Sequence, residues 1–274
     1  MKTTLLQFEP AYLKKKVNLD QVELLLGPEG GLDADLVVLP ELFATGYFFR
    51  STEDARSVAE EAPDGETTRR LHAWAQASGA TFVAGIVERE GDRLYNSAVV
   101  VTPRGWLGTY RKVHLFYQEK EHFQPGNVGF PVWTVTDRAG HPYRLGVMIC
   151  FDWYFPESAR TLALGGADVI AHPSNLVRPD CPRSMPIRAL ENHVFTVTAN
   201  RVGAECNGQE TLRFIGQSTI CDVRGHVLAS AGSEETTTCT AEFDPLEARN
   251  RRLNVANDLF GDRRPDMYAP LTVV

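Results

Sequence analysis

Gly146-Val147-Met148-Ile149-Cys150-Phe151-Asp152-Trp153-Tyr154-Phe155-Pro156-Glu157 joins a strand to a helix through a cysteine. The residues from Arg144 to Ile149 form a short apolar run of the kind that makes a buried strand, and Pro156-Glu157 has the Pro-then-acid character of a first helical turn. Cys150 is thereby placed on the connection, with rigid elements on both sides. A second short apolar run, Asp35 to Leu39, stops at Pro40, which has no N–H to give a ladder, and Glu41 is delivered to a loop at that strand end. Lys112 falls at the end of Leu107-Gly108-Thr109-Tyr110-Arg111, after the turn Thr102-Pro103-Arg104-Gly105, whose Pro and Gly occupy places that suit a type I turn. A thiol, a carboxylate and an ammonium thus stand at the ends of three separate strands.

Around these positions short strands and helices alternate without a linker, repeat or low-complexity segment. Strands are expected at 2–8, 35–39, 81–88, 94–102, 144–149, 168–171, 194–200, 214–221, 227–231 and 237–243. Helices are expected at 16–26, 67–78, 156–164 and 182–193, the second with Leu71, Trp74 and Ala75 on one face and Gly79 as its stop. Asp222-Val223-Arg224-Gly225 reads as a hairpin turn between late strands. This alternation gives an α/β layered fold. With 274 residues, 43% of them hydrophobic, residues 1–274 are expected to form a single domain.

The net charge is −7 and the only basic cluster is Lys14-Lys15-Lys16, read as a solvated helix face, which argues against nucleic acid as a partner. The N-terminus reads as a first strand rather than a signal peptide, and no apolar run approaches the ~18 residues of a membrane span, so no membrane partner is expected and the protein is placed in the cytoplasm. Five cysteines, an odd number without paired short spacing, fit neither a disulfide framework nor a zinc site. Cys181, Cys206, Cys221 and Cys239 are read as packing or surface residues.

The chemistry explains why the three strand-end residues belong together. A thiol is mostly protonated near neutral pH, and a nearby ammonium or helix N-terminus favours the nucleophilic thiolate. Attack on an amide or nitrile carbon builds negative charge that fixed donors must hold, and Lys112 and the backbone N–H of Phe151 are the candidate donors. Glu41 is the candidate for moving the protons. His114 would allow a Cys–His pair, but Glu41 is the better-matched base, so His114 is read as a structural hydrogen-bonding residue, as are His172 and His193. Asp152 is read as a local cap, and Arg188 with Glu191 as a helix ion pair.

Leu39-Pro40-Glu41-Leu42-Phe43-Ala44-Thr45-Gly46-Tyr47, Tyr110-Arg111-Lys112-Val113-His114-Leu115 and Ile149-Cys150-Phe151-Asp152 resemble, in order and spacing, the three signature blocks of the nitrilase superfamily of carbon–nitrogen hydrolases. Phe123-Gln124-Pro125-Gly126, Ala171-His172-Pro173-Ser174-Asn175, Arg188-Ala189-Leu190-Glu191-Asn192 and the stretch from Asn257 to Pro265 extend the likeness over nearly the whole chain, which looks most like the small single-domain nitrilases and amidases of thermophiles. The resemblance implies a four-layer α-β-β-α sandwich of two mixed sheets with helices on the outer faces. It also implies that Glu41 is the general base, Lys112 the intermediate-stabilising cation and Cys150 the nucleophile. Glu119, four residues before the Phe-x-Pro-Gly block, matches a second glutamate of family amidases that orients substrate and keeps the lysine charged. No metal or organic cofactor is implied. A homodimer or higher homo-oligomer is, with residues 257–274 contacting the partner subunit.

The expected reaction is hydrolysis of a small linear amide or nitrile to a carboxylic acid and ammonia through a cysteine thioester. A nitrilase proper, an N-carbamoyl amide hydrolase and a non-catalytic binding subunit are the alternatives. Members that hydrolyse N-carbamoyl amino acids often place an arginine just after the Cys-x-Asp, where Trp153 and Tyr154 stand here, which weakens the carbamoyl alternative. Tyr47, Phe116, Tyr117, Trp153 and Phe155 are expected to wall a small pocket, with Asn175 lining it through its backbone. Arg178 and Arg183 either bind a remote substrate carboxylate or are simply solvated.

Overall fold

The structure, a computed structural model, describes residues 1–27 and 33–273. The first sheet is built from β1 (Lys2–Gln7), β2 (Leu36–Val38), β3 (Thr81–Glu90), β4 (Arg93–Thr102), β5 (Gly105–Arg111) and β14 (Thr237–Glu242), in the order β14-β1-β2-β3-β4-β5. The second contains β6 (Val132–Thr136), β7 (Pro142–Val147), β8 (Val169–Pro173), β9 (Phe195–Ala199), β12 (Thr219–Cys221) and β13 (Val227–Ser230), in the order β13-β12-β9-β8-β7-β6. In each sheet a parallel triplet, β1-β2-β3 or β7-β8-β9, is flanked by antiparallel strands. The two sheets therefore share one pattern of strand directions, although no repeat is visible in the residues.

Side-chain alternation explains the layering. Leu5, Leu36, Val38, Val83, Ala98 and Val100 face inward and pack with Val135, Tyr143, Leu145, Val147 and Ala171 of the second sheet. Their neighbours Leu6, Val37, Phe82, Val99 and Val101 face outward, against Leu19, Val22 and Leu26 of α1 (Lys15–Leu26) and Leu71, Trp74 and Ala75 of α3 (Glu66–Ser78). Strands buried on both faces lose the polar alternation of a half-exposed sheet, which is why β2 reads as an unbroken apolar run. The outer face of the second sheet is covered by α5 (Pro156–Leu164) and α6 (Asp180–Asn192), through Ala159, Leu162, Cys181 and Met185. The molecule is thus the expected α-β-β-α sandwich, and no helix among the described residues is long and apolar enough to cross a membrane.

Several details differ from expectation. The strand expected over 214–221 shrinks to β12, because Gly216 and Gln217 adopt left-handed backbone with φ of 59° and 56°. A separate hairpin of β10 (Ala204–Cys206) and β11 (Thr211–Arg213), the edge strand β6, and the short helices α2 (Thr52–Val58) and α4 (Glu119–His122) were not anticipated. The lysine trio is not uniformly solvated, since Lys15 is partly buried and forms an ion pair with the buried Glu60.

One close approach fixes the position of Glu41. The segment after β2 crosses β3 at Gly85, whose N–H donates to the Pro40 carbonyl at 3.3 Å, and a Cβ at Gly85 would collide with the backbone of Glu41 and Leu42. Gly85→Ala is expected to cost about 2 kcal/mol or more of stability, read from urea unfolding midpoints, and to lower turnover by displacing Glu41. An unchanged midpoint would show that the two segments can separate freely.

Candidate active site

Glu41, Lys112, Glu119 and Cys150 converge at one end of the seam between the two sheets. Glu41 enters from the end of β2, is 1% exposed, and its backbone carbonyl accepts the Asn175 side-chain amide at 3.0 Å. Its Oε1 accepts Asn96 Nδ2 at 2.7 Å and Lys112 Nζ at 2.6 Å, while its Oε2 is buried without a protein partner. Lys112 follows β5 and is fully buried. Its N–H donates to the Asn96 carbonyl and its own carbonyl accepts the Gly126 N–H, both at 2.8 Å. A side chain at Gly126 would strike the Arg111 carbonyl, so the Phe-x-Pro-Gly block needs its glycine to lie against the lysine strand. Lys112 Nζ also donates to Oε1 of Glu119 at 2.6 Å, and the Tyr47 hydroxyl donates to that same oxygen at 2.6 Å.

Cys150 leaves β7 through Met148, whose N–H bonds to the Ala171 carbonyl of β8, and opens a 3-10 turn over Cys150–Tyr154. Its φ of 40° lies in the left-handed region, a strained setting for a residue with a Cβ. Two neighbours hold that strain. Asp152, fully buried, accepts the Ile149 N–H at 2.8 Å and the Tyr110 hydroxyl at 2.7 Å on Oδ2, and the His114 N–H and ring on Oδ1. One carboxylate thereby ties the nucleophile turn to the strand that carries Lys112. On the other side His172 donates from Nε2 to the Cys150 carbonyl at 2.9 Å and takes the Thr198 hydroxyl on Nδ1 at 3.0 Å. Burial pushes the His172 imidazole down to about 4, so it is neutral, and the carbonyl acceptor assigns its proton to Nε2.

The charges are unevenly matched, one ammonium against two carboxylates in a water-poor interior. Burial works against the Lys112 ammonium, but the Glu119 and Glu41 carboxylates outweigh it and hold the proton more tightly than usual. Burial, and then repulsion from Glu119 against the pull of Lys112, pushes Glu41 up to about 7. Taking up one proton leaves the cluster neutral, which is why a carboxyl here is poised near neutral pH. Burial, followed by the Glu41 charge, raises the Cys150 thiol well above its ordinary value, and Lys112 and the Asn175 backbone N–H offset only part of this. The resting sulfur is therefore a thiol rather than the thiolate expected from a nearby ammonium and helix N-terminus, because burial and the Glu41 charge outweigh the pull of Lys112. Its proton has to be removed during attack.

A cavity of about 280 Å³ opens on Cys150, walled by Phe116, Phe151, Trp153, Tyr154, Asn175, Leu176, Val177 and Arg178. Of the expected wall residues, Phe116, Trp153 and Asn175 line it. Tyr47 is instead buried beside Glu119 as a hydrogen-bond donor. Tyr117 lies outside, 51% exposed, with its hydroxyl donating to Glu210 at 2.6 Å, and Phe155 stacks on the His114 ring at 3.7 Å between centroids. Arg178 reaches the cavity wall while its Nε donates to Asp180 at 3.0 Å; Arg183 bonds the same carboxylate at 3.3 Å away from the lining. Asn96, Tyr154, Leu176 and Val177 were missed as site residues, and only Asn96, an amide at the polar edge of the apolar run Ala98 to Val101, carried any signal. Larger grooves of about 550 and 690 Å³ near Trp106 contain no cysteine and no member of the Glu41–Lys112 cluster.

Comparison with known proteins identifies the family. The model of the carbon-nitrogen hydrolase family matches residues 2–252. The chain is 51% identical over 268 residues to a protein of Pyrococcus abyssi named nitrilase, covering 98% of this chain and 99% of that one. It is 33% identical over 258 residues to an N-carbamoylputrescine amidase of Solanum lycopersicum, covering 87% and 84% of the two chains. Among solved structures, an amidase from Nesterenkonia sp. matches with a TM-score of 0.79 and 25% identity, covering 99% of this chain and 97% of the other. A variant of the amidase from Nesterenkonia sp. AN1 in complex with butyramide matches with a TM-score of 0.77 and 26% identity over 98% and 95% of the chains. With a family match along most of its length and a relative sharing half of its residues, the chain belongs to the carbon-nitrogen hydrolase family, as a hydrolase of the nitrilase superfamily.

Proposed function

We propose that the site hydrolyses a small linear primary amide to a carboxylic acid and ammonia. Glu41 Oε2 takes the Cys150 proton as the sulfur attacks the carbonyl carbon, and Lys112 with the Phe151 N–H holds the charge that develops on oxygen. Glu41 then passes the proton to the departing nitrogen, the C–N bond breaks, and ammonia leaves a thioester on Cys150. A water that loses its proton to Glu41 attacks the thioester, the C–S bond breaks, and the acid departs with the thiol restored. Glu119 and Tyr47 keep the lysine in place and charged throughout. The apolar walls of the cavity suit a short aliphatic chain.

What carries the amide reading is a set of buried acceptors. Glu41 Oε2, Glu119 Oε2 and Asn175 Oδ1 all lack a protein donor. A primary amide brings two N–H groups to such atoms, whereas a nitrile brings none and would leave them unmatched. The Pyrococcus abyssi relative named nitrilase favours the second reading, a nitrile that enters through a thioimidate. The relatives named N-carbamoylputrescine amidase favour a third, which would release carbon dioxide as well as ammonia.

We place the protein in the cytoplasm, whose reducing environment would keep Cys150 a free thiol. We also propose a single domain over residues 1–274 that pairs through exposed apolar side chains, Leu164 on α5, Ile187 and Leu190 on α6, and Met267 and Leu271 in the segment 257–274, of which Val274 lies outside the described residues.

Three measurements test these proposals. Ammonia release from a matched four-carbon amide and nitrile is expected to favour the amide at least about 100-fold in kcat/KM, and a faster nitrile would reverse the assignment. Because the base works in its ionised form and burial sets Glu41 at about 7, kcat/KM is expected to fall as pH drops through about 7; a flat profile between pH 5 and 8 would remove Glu41 from that role. Light scattering should report at least twice the 30.4 kDa chain mass, and a monomer would refute the pairing.

A further inference from the structure

Asn96 has no part in the chemistry above, yet it touches both charged partners of the cysteine. It lies on β4, fully buried, opposite Val87 of β3. Its backbone carbonyl accepts the Lys112 N–H at 2.8 Å and its side-chain amide donates to Glu41 Oε1 at 2.7 Å. Lys112 Nζ lands on that same oxygen at 2.6 Å. Both donors thus fall on one side of the carboxylate, and Oε2 is left buried and unengaged.

A carboxylate oxygen already holding two N–H donors is the poorer proton acceptor of the pair. We propose that Asn96 is a positioning residue for the base: together with Lys112 it pins Oε1 of Glu41, so that Oε2 alone exchanges protons with sulfur, nitrogen and water. The proposal rests on the reading of Glu41 as the base.

Stability does not account for an amide at this place. Asn96 Oδ1 is itself buried with no partner, so the residue leaves the fold an unmatched acceptor that an apolar side chain of similar size would remove. A residue that costs the fold something while holding a reactive group fits the common trade of stability for activity. The bond it makes also favours the ionised form of Glu41, against burial and the neighbouring Glu119.

The test is the pH profile of kcat/KM for the wild type, Asn96→Leu, Asn96→Ala and Glu41→Gln, with thermal midpoints for each. In Asn96→Leu the acidic limb is expected to move up by about one pH unit, giving about a tenfold loss below the limb and a smaller loss on the plateau, with little change in midpoint. Asn96→Ala should move the limb the same way. A folded Leu or Ala variant whose limb stays in place overturns the proposal. So does failure of both to fold, which would make Asn96 a structural residue. Glu41→Gln separates the two levels: near-normal activity in that variant sinks the base assignment itself, whereas an inactive Glu41→Gln beside unmoved Asn96 limbs sinks only the role of Asn96.

Discussion

The contact between Lys112 Nζ and the two carboxylates of Glu41 and Glu119, each at 2.6 Å, is the constraint around which the molecule is arranged. Taking these groups out of water carries a desolvation cost that a buried ion pair does not reliably recover, so the cluster is weakly explained by stability. It is better explained by what a dry interior does for charge. Each field acts at close range, the lysine keeps its proton, and one carboxyl is left near the point of ionisation. The surrounding structure serves that balance: Asn96 and Tyr47 supply neutral donors, and Gly85 and Gly126 let two backbones approach closely enough for the side chains to meet.

The nucleophile is held by separate means. Asp152 and the neutral His172 grip the turn from opposite sides, one through the Ile149 N–H and the other through the Cys150 carbonyl. These are hydrogen bonds to backbone, so they fix where the sulfur sits without setting its charge. A geometry of this kind suits a thiol that is activated only when substrate and base are both at hand.

Much of this was legible in the residues, and the reasons are local. Leu39-Pro40-Glu41 and Ile149-Cys150-Phe151-Asp152 each encode a strand, its stop and the side chain beyond it; the first strand ends within a residue of its expected place, while the second ends at Val147, two residues before Ile149. Gly79 ends α3 in left-handed backbone with φ of 77°, as its place after a helical pattern implies. Long-range partnership was not legible. Asn96 finds Glu41 across 55 residues, and nothing nearby marks it except that it is a buried amide, next to Ser97, where the apolar run of β4 begins. Tyr47, Tyr117 and Phe155 were read as pocket walls because they flank the motifs, but adjacency in sequence does not fix the direction of an aromatic ring. β6 escaped because an edge strand with a partly exposed face lacks the strong apolar pattern of the central ones.

The sulfur comes from one sheet and its two charged partners from the other, and away from the site the two sheets are held apart by hydrocarbon. Val38, Val83, Leu145 and Val147 are therefore spacers that set the separation of the sheets, and with it the distance between the elements that carry Cys150 and Glu41. A methyl group gained or lost in that filling, far from any polar atom, resets the stroke of the reaction as well as the tightness of the core.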